Sequence, residues 1–192
     1  MLTQPSILSV IPAISILSPV NLRHDRKGNA LSPQFCFLSP KFHFINQMGT
    51  RSRIGLKIDG GIVSAYHHWD GYPEWIGVTL EKKFNTREAV EELIDGGDMS
   101  CCDSDTDWNM NKVENHVQYY SLRGEDCPPK MSESLTEYLD LAEKTDGEYA
   151  YVFDGTWTCY EIGQYSEKGV KGRILDIPSE KEAEDKMTAA TY

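Results

Sequence analysis

Two runs of alternating hydrophobicity, SRIGLKID and IVSAYHHW, lie on either side of Gly60-Gly61. In the first run Ile54, Leu56 and Ile58 share one face. The Asp-Gly-Gly spacer between the runs admits the positive φ angles of a tight reversal, so residues 52–69 are predicted to form a β-hairpin. The rest of the chain has to be fitted to this hairpin.

Helical signals come next. EWIGVTLEKKF predicts a short helix that turns Trp75 or Ile76, Val78 or Thr79, Leu80 and Phe84 inward, although Gly77 weakens it. NTREAVEELIDGG opens with Asn85 three residues before Glu88, the spacing of a capping box, and carries Ala89, Val90, Leu93 and Ile94 as its apolar stripe. Gly96-Gly97 marks its end. Residues 98–111 read as a polar loop, and a strand is expected around His116–Leu122. SESLTEYLDLAEKT has capping-box spacing at Ser134 and Glu137, with Leu135, Tyr138, Leu139 and Ala142 at helical intervals. Tyr149, Tyr151 and Phe153 alternate before Asp154-Gly155, and Trp157, Cys159 and Glu161 alternate after it, which predicts a second hairpin. Two hairpins with about three short helices packed on the sheet make a small α+β domain, not a doubly wound βαβ fold.

Charge separates the chain into two parts. The formal net charge is −11. Residues 1–50 carry Arg23, Arg26, Lys27 and Lys41 against Asp25, a net of +3, while residues 51–192 hold 15 basic and 29 acidic side chains, a net of −14. A body this acidic repels a phosphate backbone, so direct nucleic-acid binding is disfavoured and a basic protein partner is favoured. Residues 1–21 lack the positive start of a secretory signal, and prolines 5, 12 and 19 break their apolar run, so no membrane segment is expected. Periodicity begins near Met48. Residues 1–47 are therefore expected to be a poorly ordered extension or the product of a start placed too far upstream, residues 48–177 a single domain, and residues 178–192 a flexible acidic tail. Cys36, Cys101, Cys102, Cys127 and Cys159 show no repeating spacing, the usage of a reducing cytoplasm.

The densest chemistry is YHHWDGYPEW, Tyr66 to Trp75. Adjacent His67 and His68 point to opposite faces of a strand, so they cannot share an ion without a bulge. His68 with Asp70, and with His116 or Glu125 from elsewhere, is the set a small metal-dependent hydrolase would use, with His68, Asp70 and His116 as metal ligands. The competing reading gives Asp70 its own turn to hold by a side-chain hydrogen bond, and makes Trp69, Asp70, Gly71, Tyr72, Pro73 and Trp75 a recognition surface. DSDTDWNMNKVE places Asp103, Asp105, Asp107 and Glu114 at near calcium-loop spacing, but Trp108 stands where the sharp turn needs glycine. Arg123, Glu125 and Asp126 follow a strand, and Cys127 precedes two prolines with no evident base to activate it. No phosphate loop, dinucleotide fingerprint, nucleophile elbow or His-Glu-x-x-His motif occurs, and no cofactor is expected.

MGTRSRIGLKIDGGIVSAYHHWDGYPEWIG resembles the opening of a group of small proteins encoded by tailed bacteriophages, cyanophages among them, which carry an His-Trp-Asp-Gly-Tyr-Pro turn. YYSLRGED and DGTW resemble later segments of the same group, so the likeness runs from about Met48 to Ile162. Residues 1–47 and the acidic stretch at 101–111 fall outside it. The group has no established activity. The resemblance implies a viral origin and the cytoplasm of an infected host cell. The leading expectation is a non-enzymatic accessory protein that binds a host or viral protein through the HWDGYP turn and an acidic face. The small hydrolase and a virion or assembly component are the alternatives.

Overall fold

The computed structural model describes residues 49–165 and 171–190, so the expectation for residues 1–47 lies outside the described residues. The fold is a small α+β domain built on a mixed six-stranded sheet. Strands β1 (Ser52–Ile58) and β2 (Gly61–His67) form the first hairpin. A π-helical turn, Pro73–Gly77, leads into α1 (Val78–Lys83), and α2 (Arg87–Asp95) follows. A separate two-stranded sheet pairs β3 (Ser104–Thr106) with β4 (Lys112–His116). Next come β5 (Lys130–Ser132), α3 (Leu135–Lys144), β6 (Tyr149–Phe153), β7 (Trp157–Tyr165), β8 (Lys171–Leu175) and α4 (Glu180–Ala189).

The main sheet runs β5-β2-β1-β6-β7-β8. Each expected hairpin is antiparallel, and the two are joined by the parallel pairing of β1 with β6, Ile54 beside Tyr151 and Leu56 beside Phe153. A central parallel pair is covered on both faces, which explains why four of the five β6 residues are buried despite their regular alternation. On one face Ile54, Leu56, Tyr151 and Phe153 pack under Leu80 of α1 and Val90, Leu93 and Ile94 of α2. On the other, Ile62, Ala150 and Val152 pack under Tyr138, Leu139 and Ala142 of α3.

Tyr138 ties α3 to the centre of the sheet. Its buried hydroxyl lies 2.7 Å from the Arg53 carbonyl and 2.8 Å from the Tyr151 carbonyl, one on each strand of the parallel pair. Gly55 makes the approach possible, because a Cβ there would come within 3.1 Å of the tyrosine ring. Tyr138→Phe is expected to cost about 1–2 kcal/mol in chemical denaturation, since it removes one buried donor facing two carbonyls. An unchanged midpoint would show that the hydroxyl contributes nothing.

Several local expectations are corrected. The α2 cap is Thr86, whose Oγ1 accepts from Ala89 N at 3.3 Å, not Asn85. Ser134 does cap α3, accepting from Glu137 N at 3.2 Å, but Leu135 in its first turn is 37% exposed. The strand expected around His116–Leu122 ends at His116, and Tyr120–Arg123 forms a 3-10 turn. Residues 98–111 are not merely a polar loop, for Met99, Cys101, Cys102, Ser104 and Thr106 are all buried. The tail expected to be flexible forms α4 over Glu180–Ala189. Ser179 and Glu182 make a reciprocal capping box, and Ala183 and Met187, four residues apart, are buried. Lys186 meets Glu74 at 3.0 Å and Lys82 meets Glu180 at 2.6 Å, which fastens this helix beside the π-helical turn.

Candidate functional site

The backbone at the end of β2 fixes the site. His68 N donates to the Met99 carbonyl and Trp69 N to the Ser100 carbonyl, each at 3.1 Å, so the chain at 99–100 runs beside β2 as an added edge. Ser100 N donates to the Gln118 carbonyl and Gln118 N to the Cys101 carbonyl, which brings the β3–β4 hairpin back alongside. The buried Gln118 amide holds that hairpin from within, donating to the Thr106 carbonyl at 2.8 Å and to Ser104 Oγ at 3.1 Å.

The turn after β2 is held by its backbone. Asp70 adopts φ 58°, in the left-handed region that aspartate tolerates better than most residues. Gly71 N donates to the Thr50 carbonyl at 2.8 Å, and the Gly71 carbonyl accepts from Tyr151 Oη at 2.9 Å. The Tyr72 carbonyl accepts from Trp75 N and Ile76 N, and buried Pro73 opens the π-helical turn. Asp70 was expected to hold this turn through its carboxylate. Among the described residues that carboxylate makes no hydrogen bond, and burial pushes its pKa up.

These two features enclose a cleft of about 400 Å³. His67, Trp69, Asp70 and Trp75 line one side, and Cys101, Cys102, Asp103, Asp105, Glu114 and Asn115 the other. Lys83 of α1 lies on the wall and is already neutralised, its Nζ 2.7 Å from Asp103 Oδ2 and 2.6 Å from Asn115 Oδ1. His67 is buried, with Nδ1 3.1 Å from Ser52 Oγ, and burial lowers its pKa to about 3, so the ring is neutral at pH 7. Trp69 and Trp75 are half-buried. The cleft therefore combines two indole surfaces with the carboxylates of Asp70, Asp105 and Glu114, which no lysine or arginine on its wall neutralises.

His68 does not join this site. It stands on the opposite face from His67, with Nδ1 2.8 Å from Tyr66 Oη and its ring edge-on to Trp69 at 4.6 Å. His116 closes β4, and its Nε2 is buried without a hydrogen bond. Glu125 is a surface residue bound to Arg123, whose Nε lies 3.0 Å away and whose guanidinium lies over the Trp108 ring at 4.3 Å. No group of three or more His, Cys, Asp and Glu side chains among the described residues is placed to hold a metal ion, so the His68–Asp70–His116 set is not assembled. The calcium-like spacing fails for a local reason. Asp107 Oδ1 accepts from Asn109 N and Asn111 N, and its Oδ2 from Asn111 Nδ2, so this carboxylate closes a β-turn between β3 and β4. Trp108 then anchors the turn through Nε1 to the Tyr119 carbonyl at 2.8 Å. Asp103, Asp105 and Glu114 face the cleft instead.

Cys102, Cys127 and Cys159 carry free thiols. Burial raises the pKa of the Cys127 thiol, which argues against a ready nucleophile there. No helix among the described residues is long and apolar enough to cross a membrane. Comparison with protein-family models, with curated proteins and with solved structures finds no match for this chain.

Proposed function

We propose that the chain is a non-enzymatic accessory protein that binds a protein partner, and that the cleft receives a basic side chain of that partner. One observation carries this reading: Trp69, Asp70 and Trp75 of the HWDGYP segment line the same cleft as Asp105 and Glu114. A guanidinium or ammonium group entering there meets indole faces and carboxylates together, a combination that strengthens as water is excluded. Asp70 contributes in particular, because an incoming cation offsets the burial that disfavours its charged form. The net charge of −14 on residues 51–192 favours encounter with a basic partner over long range. A host or viral identity for that partner, and a setting in infected host cytoplasm, rest on the resemblance of the HWDGYP string to phage-encoded proteins.

The test uses the full chain and a hexa-arginine peptide, with binding followed by tryptophan fluorescence and calorimetry at low salt. Saturable binding is expected, and the double variant Asp105→Lys, Glu114→Lys is expected to weaken it at least tenfold, about 1.4 kcal/mol or more. Trp69→Ala should also weaken it while leaving the salt dependence in place. Binding that is absent, or indifferent to charge reversal in the cleft, would sink the reading.

A further inference from the structure

The face of the β1–β2 hairpin turned away from His67 carries an arginine, Arg53 of β1, that the fold leaves incompletely paired. Arg53 is fully buried, yet neither Nη1 nor Nη2 has a hydrogen-bond partner among the described residues. Its Nε alone is engaged, donating to Ser64 Oγ at 3.0 Å. Arg53 stands directly across the β1–β2 ladder from Tyr66. Tyr66 Oη lies 2.8 Å from His68 Nδ1, and the positive charge of Arg51 acts on both Tyr66 and His68. Arg53, Tyr66 and His68 thus share one face at one end of the sheet, and Arg51 acts on the Tyr66–His68 pair at that end. Arg51, Tyr66 and His68 are half-buried, so the cluster reaches solvent at its outer end.

A guanidinium with two unpaired nitrogens is costly to bury, because it loses hydration and gains no hydrogen bond to them in return. The nearest acidic groups do not supply one. Asp98 is close enough to act on Arg53 electrostatically, but its Oδ1 accepts from Tyr66 N at 2.7 Å and it makes no hydrogen bond to Arg53 among the described residues. Asp146 acts on Tyr66 and forms no pair with the arginine. The two Nη groups of an arginine match two oxygens of one anion, and the further positive charge of Arg51, which acts on the adjoining Tyr66 and His68, favours a doubly charged anion over a carboxylate.

We infer that Arg51, Arg53, Tyr66 and His68 form a binding site for a phosphate group, either as the free anion or as a small monoester. Arg53 takes two phosphate oxygens through Nη1 and Nη2, while Arg51 and the Tyr66 hydroxyl reach the outer oxygens. Arg53 is closed to solvent, so binding requires the half-buried Tyr66 side chain to move aside. The acidity of the body does not oppose this. Its charges are screened over a Debye length of about 8 Å at physiological salt, whereas the cluster acts in direct contact. A nucleic-acid strand, by contrast, would lay many phosphates across the acidic surface.

The experiment measures the thermal midpoint of the full chain in inorganic phosphate, phenyl phosphate, acetate and chloride at matched ionic strength, with calorimetric titration of inorganic phosphate alongside. Phosphate is expected to raise the midpoint in a concentration-dependent way that chloride and acetate do not reproduce. Tighter binding of phenyl phosphate than of inorganic phosphate identifies an ester as the ligand, and the reverse order identifies the free anion. Either order supports the site. Arg53→Met, apolar and of similar length, should abolish the phosphate response. If that variant does not fold, Arg51→Gln provides the same test, expected to weaken phosphate binding several-fold while leaving hexa-arginine binding unchanged. The inference is overturned by equal responses to phosphate, acetate and chloride. A phosphate response that survives these substitutions also overturns it.

Discussion

Between pH 7 and pH 4.5 the fold is expected to lose about 2.5 kcal/mol of stability through His67 alone. The unfolded chain carries this histidine at its ordinary pKa of 6.5, and burial lowers it to about 3 in the folded chain. In that interval the unfolded state binds a proton that the folded state refuses, so stability falls as pH falls. The contribution is fully present above 6.5, declines by about 1.4 kcal/mol per pH unit below it, and levels off near 3. Two physical causes act in the same direction. Burial comes first, and the neighbouring His68 charge adds to it. Asp70, facing the same cleft, has the opposite sign: its raised pKa favours the folded state once it is protonated, at more acid pH. Asp107, Asp140 and Glu182 have lowered pKa values and lose stability only within the carboxylate range. Urea denaturation at pH 7 and pH 4.5, on the natural chain and on His67→Gln, isolates the histidine. The variant should show a pH difference smaller by about 2.5 kcal/mol, whatever the substitution costs at pH 7. An identical pH difference in both proteins would mean that His67 titrates normally in the fold.

His67 also marks the limit of what the sequence discloses. The strand period told that His67 and His68 face apart, and both hairpins, α2 and α3 could be read from alternation, capping spacing and glycine stops. Each of those signals is local, set by neighbours a few residues away. Which histidine faces which environment depends on the segment at 98–101, whose bonds to residues 66–69 span more than thirty positions. The same distance explains the misread acidic stretch. Asp103, Asp105 and Glu114 have a spacing that suits calcium, but their place on the cleft wall comes from a β-hairpin locked by Gln118, a residue with no sequence signature. Lys83 was read only as part of a helix, since nothing in its own neighbourhood announces Asp103. β8 went unrecognised because a five-residue strand at the sheet edge carries little alternation, and α4 because two buried residues in ten give a weak stripe. Arg53 lay in the most legible segment of all. Its isolation under α3 became visible only once Tyr138 was placed on Gly55.

Gly71→Ala is expected to destabilise the fold by about 2–4 kcal/mol and to weaken hexa-arginine binding at least tenfold in the protein that remains folded. A Cβ at this position would lie 2.8 Å from Ser52 Cβ and 2.9 Å from both the Arg51 carbonyl carbon and Ser52 N. Two of these three contacts are backbone atoms at the start of the first strand, in Ser52 and the residue before it, so no side-chain rotation relieves them. The turn has to move outward instead. That movement stretches the Gly71 N bond to Thr50 and the Tyr151 hydroxyl bond to the Gly71 carbonyl, which fasten the turn to the chain before β1 and to the middle of β6. Trp69, Asp70 and Trp75 shift with it, and the cleft loses the alignment of its indole and carboxylate walls. Gly155→Ala is the matched control. It sits in the other hairpin turn at φ 81° with nothing within 4 Å of the added carbon, so it costs only about 1 kcal/mol of backbone strain and leaves peptide binding intact. Denaturant titration together with peptide titration on both variants separates the outcomes. If Gly71→Ala behaves like Gly155→Ala in both measurements, the close packing of the HWDGYP turn against β1 does not position the binding site. Destabilisation without loss of affinity would confine the role of Gly71 to the fold and leave the cleft to be tested through its carboxylates.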